Sequence, residues 1–145
     1  MILRFILLIL LSFNLRATPK DFSNGTYTEK FDNGQSKYEI TFKDGKKHGK
    51  EVFWYENGNK KMESHFLNGI EYGLWQQWYE NGQLKLKVNY ISAKEDGFWE
   101  QWYDDGKKKS KSIFKNGVKQ GQEIFWNRDG SIRSIKNYKD GKIIK

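Results

Sequence analysis

The sequence predicts an all-β protein: one elongated antiparallel sheet, a meander of five stacked β-hairpins, after an N-terminal signal-like segment. Three observations carry this. First, all 14 glycines fall on a lattice of period 24, as in 73 − 49 = 24. Its sets are Gly25, Gly49, Gly73, Gly97 and Gly121; Gly34, Gly58, Gly82, Gly106 and Gly130; and Gly45, Gly69, Gly117 and Gly141, with Ala93 in the slot that lacks glycine. A fixed period of this size marks a repeat array. Second, eleven of those glycines follow Asn or Asp, and Asn-Gly and Asp-Gly fit the type I′ hairpin turn, which needs φ > 0 at both central residues. Third, the runs between turns are short and rich in Trp, Tyr and Phe, the residues that favour strands. Trp75, Trp78 and Tyr79 do have helical spacing, but runs of about 7–9 residues cut by glycine disfavour a helix.

From the N-terminus, Met1–Arg4 is a short basic region, Phe5–Phe13 an apolar core and Asn14–Ala17 a cleavage region. This predicts a signal peptide over 1–17 and a linker over 18–24. The apolar run is shorter than the roughly 20 residues of a membrane span, an uncleaved membrane anchor being the alternative. The expected location is therefore outside the cytoplasm: periplasmic, cell-surface or secreted. Five copies follow, at 25–48, 49–72, 73–96, 97–120 and 121–144. The outer copies are atypical, with Lys30 where the others have Trp and Asn127 where the others have Tyr or Phe. That is expected of units whose end faces meet water.

Four columns recur. Trp54, Trp78, Trp102 and Trp126 form one, and Phe31, Tyr55, Tyr79 and Tyr103 the next. Phe42, Phe66, Tyr90, Phe114 and Tyr138 form an aromatic column, and Lys37, Lys61, Lys85, Lys109 and Arg133 a basic one. A two-residue turn at Asn81-Gly82 would pair Tyr79 with Leu84, Trp78 with Lys85 and Gln77 with Leu86. Alternation then puts Trp75, Tyr79, Leu84, Leu86, Val88 and Tyr90 on the core face and Trp78, Lys85 and Lys87 on the other. Each Trp would face a cation, with Trp126 facing Arg133; an exposed cation–π contact is worth about 0.5–1 kcal/mol. The Trp column has two readings, a packing ladder between copies or a row of rings offered to a partner. Glycine pairs such as Gly45 and Gly49 predict a longer loop or bulge that shifts the facing by one residue, and Ala93 predicts an altered turn.

The formal charge is +8, or +6 once Arg4 and Arg16 are removed (8 − 2). A basic surface suits solubility or an anionic partner, and export makes nucleic acid an unfavoured one. There is no Cys, hence no disulfide and no thiolate chemistry. His48 and His65 occupy different columns without metal-ligand spacing. Asp32, Glu56, Glu80 and Asp104 fill a turn column. No catalytic constellation, metal site or cofactor loop nominates itself, so the expectation is a protein that is not an enzyme and needs no cofactor.

F-K-D-G-K-K-H-G-K at 42–50, F-L-N-G-I-E-Y-G-L-W at 66–75 and F-K-N-G-V-K-Q-G-Q at 114–122 resemble MORN repeats. W-Y-E-N-G-x-x-K, at 54–61 and 78–85, is similar to the bacterial MORN-variant subfamily, whose members are often filed as antitoxins of toxin–antitoxin systems. The resemblance implies a binding or scaffold module and a protein partner, with antitoxin- or immunity-like neutralisation as one role. The candidate partner-binding residues are Trp54, Trp78, Trp102, Trp126, Lys61, Lys85, Lys109 and Arg133. The alternative is an envelope or membrane-surface protein holding anionic lipid or glycan through the same face.

Overall fold

The computed structural model describes residues 22–144; the expected signal segment and most of the linker lie outside them. Every regular element described is a strand. In chain order these are β1 (Gly25–Lys30), β2 (Ser36–Lys43), β3 (Lys46–Trp54), β4 (Lys60–Leu67), β5 (Ile70–Glu71), β6 (Gly73–Trp78) and β7 (Leu84–Ile91). Then follow β8 (Lys94–Glu95), β9 (Gly97–Trp102), β10 (Lys108–Lys115), β11 (Val118–Trp126), β12 (Ile132–Lys139) and β13 (Lys142–Ile144). All join one antiparallel sheet ordered β1-β2-β3-β4-β6-β7-β9-β10-β11-β12-β13, with β5 on β4 and β8 on β7. The expected meander is the observed one. β5 and β6 are one line interrupted at Tyr72, as β8 and β9 are at Asp96.

The glycine lattice makes three different corners. The turns at Asp44-Gly45, Asn68-Gly69, Asn116-Gly117 and Asp140-Gly141 have positive φ at both central residues, the type I′ condition. Ser92-Ala93 keeps the same conformation, with φ of 50° and 58°, so the expected altered turn is not found. The turn's contacts explain this. Ala93 N–H donates to Glu71 O at 2.9 Å, as Gly69 does to Lys47 O and Gly117 to Glu95 O. The preceding copy thus holds each turn in place.

The second set forms a different turn from the one expected. Gly82 N–H donates to Tyr79 O and Tyr79 N–H to Gln83 O, which closes a three-residue loop in which Gly82 has positive φ and Asn81 does not. The side chain decides it: Asn81 Oδ1 accepts from Gln83 N–H at 3.0 Å. Asn33, Asn57, Asp105 and Asp129 do the same two residues on. An Asx turn of this kind satisfies the backbone without the left-handed region.

The third set sits inside the strands. Gly25, Gly49, Gly73, Gly97 and Gly121 pair with Phe42, Phe66, Tyr90, Phe114 and Tyr138. Each glycine has positive φ, and each stands directly opposite a residue of the aromatic column. Bulges lie here as expected: Ile40 pairs with Glu51 but Phe42 with Lys47. The bulged strand gains an even number of residues, so facing is preserved rather than shifted by one. Directly paired residues share a face. Eight of the nine buried side chains, Val52 being the exception, therefore lie on the face of Ile40, Leu86 and Val88. Trp75, Leu86, Val88 and Tyr90 occupy this core face as expected.

Candidate functional site

The predicted Trp–Lys pairing is corrected. Gln77 does pair with Leu86, but Trp78 pairs with Leu84, because a one-residue bulge follows the three-residue loop. Leu84 therefore leaves the core face for the side of Trp78. In the other copies Trp54 pairs with Lys60, Trp102 with Lys108 and Trp126 with Ile132. Lys61, Lys85 and Lys109 instead lie over Tyr55, Tyr79 and Tyr103 at 5.4, 5.3 and 5.7 Å. Arg133 lies 5.2 Å over Phe125. The cations that do reach Trp rings come from the preceding copy: Lys60 over Trp78 at 5.7 Å and Lys108 over Trp126 at 6.0 Å. All four Trp side chains of the column are half-buried, as are Lys61 and Lys85, while Lys109 and Arg133 are exposed.

Copies are locked together beside this column. Tyr55, Tyr79 and Tyr103 hydroxyls donate to the carbonyls of Trp78, Trp102 and Trp126 at 2.9, 2.9 and 2.8 Å. Asn33, Asn57 and Asn81 amides donate to Glu56, Glu80 and Asp104 carbonyls. The Tyr and Asn of the motif thus stack one copy on the next, while the Trp rings keep part of their surface open.

The core face holds chemistry that the columns did not reveal. Lys47 donates to Glu51 at 2.7 Å, Ser64 donates to the other Glu51 oxygen at 3.1 Å, and the Lys47 ammonium lies 4.8 Å over the Phe66 ring. Three copies on, Lys119 pairs with Glu123, which also accepts from Ser112 and Tyr138 at 3.0 Å. Lys119 lies 4.9 Å over Tyr138 and 5.4 Å over Phe114. Burial would raise the Glu123 carboxyl, but the hydrogen bonds from Lys119, Tyr138 and Ser112 outweigh it and hold it below the usual range.

A depression of about 290 Å³ opens here, lined by Glu95, Trp99, Gln101, Ser110, Phe114 and Lys119 among others. Ser110 donates to Gln101 within it, at 2.8 Å. The central copies differ from their neighbours: Glu71 and Glu95 stand in the column of Lys47 and Lys119, and Trp75 and Trp99 in that of Glu51 and Glu123. Burial raises Glu71, with Glu51 and Glu95 adding to the shift and Lys47 opposing it. Tyr90 is pushed up to about 12 by burial and by Glu95 and Glu71. The sequence signal was a paired change, Lys with Glu in two copies and Glu with Trp in the two between them.

With the geometry in place, the sequence comparison is decisive for family. The MORN repeat variant matches at residues 23–44, 47–68, 71–92, 95–116 and 119–140. The chain belongs to the MORN repeat variant family. Each MORN match carries one interstrand glycine, one three-residue loop and the first half of a type I′ turn. This is a non-enzymatic repeat family, and its all-β repeats indicate a scaffold of the kind that binds proteins or membranes. No curated protein matches the chain. Among the described residues no group of three His, Cys, Asp or Glu is placed to hold a metal ion.

Proposed function

We propose that this MORN protein is a non-catalytic scaffold, acting outside the cytoplasm, that binds a protein partner along its elongated sheet. One observation carries the reading: Trp54, Trp78, Trp102 and Trp126 recur one per copy, half-open to solvent, beside the cations of Lys60, Lys61, Lys85, Lys108 and Lys109. Neighbouring strands lie about 4.8 Å apart, so the Trp row advances roughly 10 Å per copy. Such a row suits an extended or repetitive partner, and Trp and Tyr are among the usual energetic anchors of an interface. Neutralisation of a bacterial toxin or effector, in the manner of an antitoxin or immunity protein, is the role we favour. Basic columns make nucleic acid conceivable, but an exported location argues against it. The test is Trp78→Ala with Lys85→Ala: partner affinity drops about tenfold while the melting transition stays cooperative. Unchanged affinity sinks the site assignment.

A second reading, an anionic lipid or envelope polymer, is favoured by the type I′ turn edge. There Leu67, Ile70, Tyr72, Ile91 and Val118 are 50, 51, 56, 46 and 39% exposed. They alternate with Lys43, Lys46, Lys94, Lys115, Lys139 and Lys142. Sedimentation with phosphatidylglycerol vesicles separates the two readings. A surface charge contact is screened over about 8–10 Å at physiological salt and collapses as salt rises, whereas a Trp-anchored protein contact persists.

A further inference from the structure

The core face contains its own cation seats, one where copy one meets copy two and one where copy four meets copy five. In each, a lysine ammonium lies against a ring of the aromatic column and donates to a buried glutamate: Lys47 with Phe66 and Glu51, Lys119 with Tyr138 and Glu123. Ring face plus carboxylate is the chemistry that recognises an ammonium group. Between these two seats the same columns change content. Tyr90 keeps the ring, Glu71 and Glu95 bring carboxylates, and Trp75 and Trp99 add two more rings, but the lysine is gone. Among the described residues neither Glu71 nor Glu95 has an ion pair or a side-chain hydrogen bond, and neither does the Tyr90 hydroxyl. Tyr90 pairs directly with Glu95, and Trp99 packs 5.9 Å from Phe114 at the adjoining depression.

We propose that this central stretch of the core face is a docking site for a lysine side chain of a partner protein, which supplies the ammonium that Lys47 and Lys119 supply at the two flanking seats. Charge complementarity commits the occupant. The chain is +8 overall, so a basic partner is repelled by most of the surface and attracted to the stretch where Glu71 and Glu95 form no ion pair, the neighbouring Lys47 and Lys119 being paired with Glu51 and Glu123. The partly buried Glu71, raised by burial and by its acidic neighbours, is the group an arriving ammonium would relieve. Lysine rather than arginine fits, because both resident examples are compact ammonium groups seated over rings of the aromatic column, Lys47 over Phe66 and Lys119 over Tyr138 and Phe114. The site lies on the face opposite the Trp column and stands or falls separately from it.

The test follows the indole N–H signals of Trp75 and Trp99 by NMR while pentalysine peptide is added to the full-length chain. Those two signals shift and saturate, and those of Trp54, Trp78, Trp102 and Trp126 do not. Glu71→Gln with Glu95→Gln weakens the response at least tenfold, with the far-ultraviolet circular dichroism unchanged. Tyr90→Phe retains the ring and keeps binding within about threefold, which controls for a general loss of packing. The proposal is overturned if Trp75 and Trp99 do not move, or if the double variant responds like the parent. It is also overturned if spermine or pentaarginine matches pentalysine, since either result removes the protein lysine as the specific occupant.

Discussion

Replacing Ala93 with glycine should stabilise the protein. Ala93 holds φ at 58° in a type I′ turn where the four other copies carry glycine. A left-handed conformation costs an L-residue roughly 1–2 kcal/mol. Glycine removes that cost but adds unfolded-state entropy worth about 0.4–1 kcal/mol, so the net gain is about 0.5–1 kcal/mol. For a chain of this size that raises the melting temperature by roughly 2–4 °C. The control runs in the opposite direction. Gly69 occupies the equivalent slot with φ of 84°, and an added Cβ would meet Lys46 carbons no closer than 3.7 Å, which is ordinary contact. Gly69→Ala should therefore lose about the same 0.5–1 kcal/mol by strain alone. Urea unfolding followed by Trp fluorescence reads both. If Ala93→Gly is neutral or destabilising while Gly69→Ala is harmless, the turn conformation does not carry the strain assigned to it.

Three further outcomes follow from the contacts between copies. Tyr79→Phe removes the hydroxyl donor to the Trp102 carbonyl at 2.9 Å, and a net hydrogen bond of this kind is worth about 1 kcal/mol. Combining it with Tyr55→Phe and Tyr103→Phe should lower the urea midpoint in three similar steps. Glu123→Gln leaves Lys119 without its carboxylate and should cost about 2 kcal/mol, as for hydrogen bonds to charged groups. The Glu123 carboxyl is held below its ordinary 4.5 in the fold. Its contribution is therefore complete above that value and is lost as pH falls through the lower folded value, an acid-limb loss that thermal melts across pH should show and that Glu123→Gln should reduce. Glu71 has the opposite sign: its folded value is raised, so ionisation opposes folding. Glu71→Gln should leave the melting temperature at pH 7 unchanged or higher, and a fall would contradict the burial argument.

Much of the architecture was legible because glycine spacing is unambiguous. Period, strand class and the core positions Trp75, Leu86, Val88 and Tyr90 all followed from it. Where the reading failed, one side chain outcompeted one backbone rule. A two-residue turn at Asn81-Gly82 needs a left-handed Asn81, but its side-chain oxygen accepts from the Gln83 amide, and the chain closes a three-residue loop instead. The added bulge moves Trp78 from Lys85 to Leu84, so the cations settle on tyrosines. Ala93 misled in the other direction: the carbonyl of Glu71 fixes the turn, and the local preference of alanine is overruled. The Lys47–Glu51 and Lys119–Glu123 pairs are hard to see in the sequence because their two columns change content between them, with Glu71 and Glu95 in the lysine column and Trp75 and Trp99 in the glutamate column.

The central claim is that the Trp row is a protein-binding surface. A photo-crosslinking residue placed at position 85, beside that row, and in separate preparations at position 116, in an exposed type I′ turn at the opposite ends of the strands, tests this directly once a partner has been retained at 0.5 M salt, roughly the condition at which exposed charge contacts are lost. A covalent partner adduct is expected from position 85 and none from position 116. Adducts from both positions alike, or from neither, would contradict it.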